Sequence, residues 1–75
     1  MKNKFYMQEF EYFNGDHFVT FNIVDMTQHT ITVAVTNQGR ISLGTYNLYE
    51  DEKGLYFEYG RWDDIIYLDE FVDVN

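Results

Sequence analysis

Cysteine and proline are both absent from this 75-residue chain, and each absence removes a class of explanation. Without cysteine there is no disulfide to staple a small fold, no thiolate for a structural zinc site and no sign of an oxidising compartment. Without proline, no segment is barred from the interior of a β-sheet. Glycine is also sparse: the five glycines are scattered singly, so no Walker or dinucleotide-binding pattern is present. Long apolar runs are missing too, and nothing approaches the roughly 18 consecutive apolar residues of a membrane span. The opening "MKNKFYMQEF" has two lysines but no apolar stretch of the kind a signal peptide carries. These absences predict a soluble, cytoplasmic protein with no membrane partner.

Positive charge is scarce, and the net charge is unevenly placed along the chain. Five lysines and arginines stand against 13 aspartates and glutamates, a net charge of −8. Residues 1–16 carry a net −1, and residues 17–49 are neutral, holding only Asp25 and Arg40. Residues 50–75 carry nine acids against Lys53 and Arg61, a net −7. A field of this sign repels phosphate backbones and attracts basic surfaces or cations, so direct nucleic-acid binding is disfavoured.

Aromatic residues are what the chain has in abundance: seven Phe, seven Tyr and Trp62. A chain this short forms a single domain, residues 1–75, and buries only roughly 60% of the surface its unfolded form exposes. Large aromatic side chains supply the apolar area that such a core needs, and with the β-branched residues they argue against disorder.

The apolar pattern is that of strands. "EFEYFNGDHFVTFNIV" places Asn14-Gly15 between two runs rich in Phe, Tyr, Val and Thr, the preferred chemistry of a two-residue type I′ hairpin joining strands at about residues 5–13 and 17–25. Val19, Phe21 and Ile23 then share one face, opposite Phe18, Thr20, Asn22 and Val24. "HTITVAVTN" alternates strictly, with Ile31, Val33 and Val35 on one side. "NQGR" turns into "RISLGTYNLY", where the apolar phase passes from Ile41 and Leu43 to Tyr46 and Leu48 across Gly44, predicting a bulge or bend there. "EDEKG" is a turn into "LYFEYG", with Leu55, Phe57 and Tyr59 on one face and Tyr56 and Glu58 on the other. "DIIYL" reads as a short strand, although Ile65, Leu68 and Val72 also fit helical spacing and a helical turn could close the chain.

The expected fold is therefore all-β or mainly β: an antiparallel meander of five to six short strands. It would be curled as a small SH3-like or OB-like partial barrel or left as a strongly twisted sheet, with a short C-terminal helical turn as an option. An open sheet would leave an aromatic face exposed, to be covered by closure or by a second copy of the chain as a homodimer.

Enzymatic chemistry finds little footing. Ser42 is the only serine and is expected in mid-strand, remote in sequence from His17 and His29. The two histidines are expected at opposite ends of the sheet as turn-flanking residues, and "YEDEKG" lacks the alternating oxygen ligands of an EF-hand. Neither a catalytic residue, a metal ligand set nor a cofactor is assigned.

The acid-rich last third is the candidate binding segment. Its carboxylates could imitate the charge of a nucleic-acid backbone and occupy a basic protein groove, with tyrosine and tryptophan as anchors. The candidate partner-binding residues are Glu50, Asp51, Glu52, Tyr56, Glu58, Trp62, Asp63, Asp64, Tyr67, Asp69 and Glu70, with Glu50, Glu52, Glu58, Asp64, Asp69 and Glu70 expected around Trp62. In size and charge the chain resembles the small acidic proteins that block restriction or CRISPR nucleases, a resemblance of type that carries over no residue roles. The function this implies is a small acidic interaction module, an inhibitor that blocks a basic surface of a nucleic-acid-binding protein. The alternative is a β-barrel domain that binds a small ligand or cation. The bland reading is that the acids keep an aromatic-rich domain soluble and its sheet edges apart.

Overall fold

The fold is described for residues 8–73 of a computed structural model. Strands β1 (Gln8–Phe13), β2 (Phe18–Met26), β3 (Thr30–Asn37) and β4 (Arg40–Asn47) form a meander, followed by β5 (Tyr49–Asp51), β6 (Gly54–Tyr59), β7 (Asp64–Tyr67) and β8 (Val72–Asp73). They make a five-stranded sheet in the order β4-β3-β2-β1-β8 and a three-stranded sheet in the order β5-β6-β7. Every pairing is antiparallel. The chain is mainly β, as its alternation predicts, and the sheets do not close into a barrel. The strands exceed the expected five to six because β5 and β8 are only three and two residues long. The helical turn exists, at Leu68–Glu70, but Asp64–Tyr67 is strand: pairing with β6 satisfies its backbone and buries Ile66.

The hairpins differ from expectation in one instructive way. A two-residue turn at Asn14-Gly15 would set Tyr12 opposite His17 and bring the histidine onto the core face. Instead Phe13 pairs with Phe18 and Tyr12 with Val19, leaving a four-residue loop. The Asn14 side chain closes that loop itself, its Oδ1 accepting from the backbone N–H groups of Asp16 (2.9 Å) and His17 (3.0 Å). The type I′ conformation falls at Gln38-Gly39, where both residues have positive φ (53° and 81°) between paired Asn37 and Arg40.

The core follows the strand alternation. Val19, Phe21 and Ile23 of β2 and Ile31, Val33 and Val35 of β3 are all buried, and the three-stranded sheet covers them with Phe57 and Ile66, joined by Leu68 and Phe71. Each fully buried side chain of this kind contributes roughly 1.5–3 kcal/mol. Aromatic rings bridge the two sheets: Phe21 meets Phe57 edge-on at 5.8 Å and Tyr59 at 4.8 Å, and Tyr46 stacks on Phe57 at 5.3 Å.

Gly44 is not a bulge. β4 pairs with β3 without interruption from Asn47 to Arg40, and the register slips instead in β2, between Ile23 and Asp25. The apolar phase of β4 does not slip either, because Ile41 and Leu43 face solvent, 72% and 71% exposed. Their side of the sheet also carries Thr20, Thr32, Thr36 and Thr45 together with Glu9, Glu11, Asn22 and Ala34, and Phe13 and Phe18 meet there as tilted rings 5.0 Å apart. On the inner side the Tyr46 ring lies across Gly44, where a Cβ would come within 2.9 Å of the ring.

Candidate functional site: a tyrosine row on the three-stranded sheet

The "EDEKG" turn decides how the acid-rich segment is displayed. With Asp51 paired to Gly54, the register places Tyr49 opposite Tyr56, and β7 places Tyr67 on the other side of Tyr56. Three tyrosines thus stand side by side across β5, β6 and β7 on the face turned away from the core. Their ring centroids are 5.5 Å apart from Tyr49 to Tyr56 and 5.4 Å from Tyr56 to Tyr67. Leu55, Phe57 and Tyr59 point the other way, into the core, as the alternation of β6 requires.

Carboxylates flank the row on both sides. Gly54 and Glu58 lie two residues before and after Tyr56, so Asp51 at the first level and Glu58 at the second stand roughly 6.6–6.8 Å along the strands from the tyrosines. Tyr67 donates its hydroxyl proton to Asp51 Oδ2 at 2.6 Å, and Asp51 Oδ1 accepts from the Lys53 backbone N–H at 2.8 Å. These bonds hold the Asp51 carboxyl below its usual value, the tyrosine hydroxyl being the larger cause. The same bond keeps the proton on Tyr67, whose pKa is raised to about 12. The Lys53 ammonium sits 6.0 Å from the centre of the Tyr67 ring, within reach of a weak cation–π attraction.

Beyond Glu58, a shallow open groove of about 260 Å³ is lined by Thr45, Tyr46, Asn47, Tyr49, Glu58 and Asp63. Asp63 adopts a positive φ of 52° in the β6–β7 turn, its N–H bonded to the Gly60 carbonyl. Trp62 is at the tip of that turn, 80% exposed, and Ile65 beside Glu58 is half exposed.

The candidate residues therefore divide. Asp51, Glu52, Tyr56, Glu58 and Tyr67 belong to the tyrosine face, and Asp63 borders it through the groove. Asp69 is near enough to Tyr67 to add to its raised pKa. Glu50 pairs with Leu55 on the opposite side of β5, and Glu70 is exposed in the 3-10 turn. Asp64 faces inward and accepts a hydrogen bond from Tyr12 of β1. Trp62 is no hub: the Asp51–Lys53 turn lies at the opposite end of β6 from it. Tyr49 was not among the residues singled out from sequence. Its equal spacing with Tyr56 about the "EDEKG" turn is the signal that reveals it.

Other chemistry is poorly provided for. Ser42 is an exposed strand residue, and the two histidines lie at opposite ends of β2. His17 is held by Asp16 (Nδ1 to Oδ2, 3.0 Å) and by Asn37 (Nε2 to Oδ1, 2.6 Å). Among the described residues no three His, Asp or Glu side chains converge as a metal ligand set, and no helix is long and apolar enough to cross a membrane. Because the sheets do not close into a barrel, the structure has no barrel mouth of the kind the alternative small-ligand reading invoked. Comparison with family models, with curated protein sequences and with solved structures yields no match.

Proposed function

We propose that this protein is a small cytoplasmic interaction module that docks its tyrosine row onto a basic protein surface, blocking that surface to nucleic acid. The observation that carries the reading is the row itself: Tyr49, Tyr56 and Tyr67 in one line, with Asp51 and Glu58 on either side. Tyrosines offer broad, rigid contact area at little entropic cost and are frequent anchors of protein interfaces. Carboxylates beside them select a cationic partner and steer its approach. The net −7 of residues 50–75, part of it displayed on this face as Asp51, Glu52 and Glu58, adds a long-range attraction for lysine and arginine and a repulsion for phosphate.

The test is a titration of isotope-labelled protein with an oligoarginine peptide, followed by NMR at low and high salt. Shifts are expected at Tyr49, Asp51, Tyr56, Glu58 and Tyr67 and should fade as the screening length falls from roughly 30 Å at 0.01 M to about 10 Å at 0.1 M. A duplex DNA probe should leave the spectrum unchanged. Shifts confined to the outer face of the five-stranded sheet, or indifferent to salt, would remove the basis of this reading.

A further inference from the structure

The spacing of the row goes further than its charge and specifies the shape of what it receives; this inference rests on the docking role proposed above. Ring centroids recur at 5.5 and 5.4 Å along a line that crosses β5, β6 and β7. An α-helix repeats along its axis every 5.4 Å or so, whereas side chains on one face of an extended strand recur at about 6.6–6.8 Å. Over two intervals a helix stays in step with the three rings, and an extended segment overshoots by roughly 2–3 Å. The width of the face agrees. The levels of Asp51 and Glu58, two residues either side of Tyr56, are roughly 13–14 Å apart along the strands, and a helix with its side chains is about 10–12 Å across.

We propose that the tyrosine row receives one face of a basic α-helix lying across the strands, with arginines one turn apart over Tyr49, Tyr56 and Tyr67 and the carboxylates of Asp51 and Glu58 along its flanks. Arginine suits the site better than lysine because its planar guanidinium can lie on a ring and still give two hydrogen bonds to a carboxylate. Lys53 already occupies one end of the row, 6.0 Å from the Tyr67 ring centre. It is the chain's own cation on a cation site, and an incoming arginine at that end displaces it.

Three peptides of equal composition and charge decide the matter: a lactam-stapled helix with arginines at i, i+4 and i+7, the same stapled helix with its arginines spread around the axis, and an extended peptide with arginines at alternate positions. Affinities are read by titration and the contact site by NMR shifts. The one-face helix should bind about tenfold tighter than either control, the gain expected from two or three added contacts between exposed cations and rings. Lys53→Gln should tighten it further, and Tyr49→Ser, at an exposed edge position, should weaken it. Equal affinities for the three peptides, or preference for the extended one, would overturn the helical register while leaving the docking role intact. Failure of all three, and of oligoarginine, would overturn both.

Discussion

Tyr12 of β1 gives its hydroxyl proton to Asp64 of β7, a bond between the two sheets across 52 positions of sequence. The same tyrosine ring lies edge-on to Tyr59 at 6.0 Å and tilted against Phe21 at 5.9 Å. Asp64 is thus a structural carboxylate, distinct from the solvent-facing acids beside it in sequence. Tyr12→Phe keeps the ring contacts and deletes only this bond, leaving a half-buried carboxylate short of a donor. A loss of about 1.5–3 kcal/mol is expected, the usual scale for a hydrogen bond to a charged group. In a domain of this size that lowers the melting temperature by roughly 6–24 °C. Peptide binding at the tyrosine row should survive, since Asp64 faces away from it.

Gly44 is small because Tyr46 covers it. A Cβ at that position would stand 2.6 Å from the Tyr46 hydroxyl oxygen and 2.9 Å from two ring carbons, so Gly44→Ala must push the ring off its stacking position on Phe57. Overpacking of this kind costs about 1–3 kcal/mol. The same substitution made in a Tyr46→Ala background meets no ring and should be neutral or slightly stabilising, because glycine weakens a strand interior. A double-mutant cycle by urea unfolding reads the difference, and equal costs in both backgrounds would show that the ring is not what excludes the side chain.

How far the fold was legible depends on the range of the interactions that set it. β2, β3 and β6 carry their assignment in their own alternation, so Phe21, Val33 and Phe57 could be placed on the core face from local pattern alone. The Asn14-Gly15 signal located a turn but not its length, which is set by pairing Phe13 with Phe18 and by an asparagine side chain that closes the loop. At Gly44 the pattern misled because two exposed residues, Ile41 and Leu43, imitate a core phase. For the site, Tyr56 and Tyr67 were found as interleaved aromatics, and Tyr49 needed the hairpin register. The inward turn of Asp64 depends on a partner from the far end of the chain, which no local pattern records.

The bond between Tyr67 and Asp51 gives the row a pH signature at both ends of the scale. Tyr67 loses its proton only at about pH 12, so its share of stability is intact below the ordinary tyrosine pKa of 10.0 and disappears as pH rises through 12. The Asp51 carboxyl lies below its ordinary 3.8, so its share is present above that value and is lost as pH falls through the folded pKa. Tyrosine titration by carbon-detected NMR should show Tyr67 ionising late, and Asp51→Asn should return it toward 10. Tyr46 also titrates high, through burial, and serves as the internal control that Asp51→Asn leaves unmoved.

His17 adds a second pH dependence, carried by a different loop, the one between β1 and β2. Its Nδ1 faces Asp16 Oδ2 and its Nε2 faces Asn37 Oδ1. Both neighbours are acceptors, and only the imidazolium can donate to both at once. The bond to Asp16 and then the bond to Asn37 raise the His17 pKa above 6.5, against a smaller opposing effect of desolvation. A raised folded pKa means that the stabilisation is fully present below pH 6.5 and is lost as pH climbs through the folded value. The charged form pins the Asn14–His17 loop to the end of β3, so deprotonation should first be visible there. Amide exchange at Asp16 and His17, whose N–H groups bond to Asn14 Oδ1, should quicken above the His17 pKa once the intrinsic pH dependence of exchange is removed. Asp16→Asn should bring the pKa down and move that transition to lower pH. A loop whose corrected exchange ignores both pH and the Asp16 substitution would mean that the histidine bonds contribute nothing to its order.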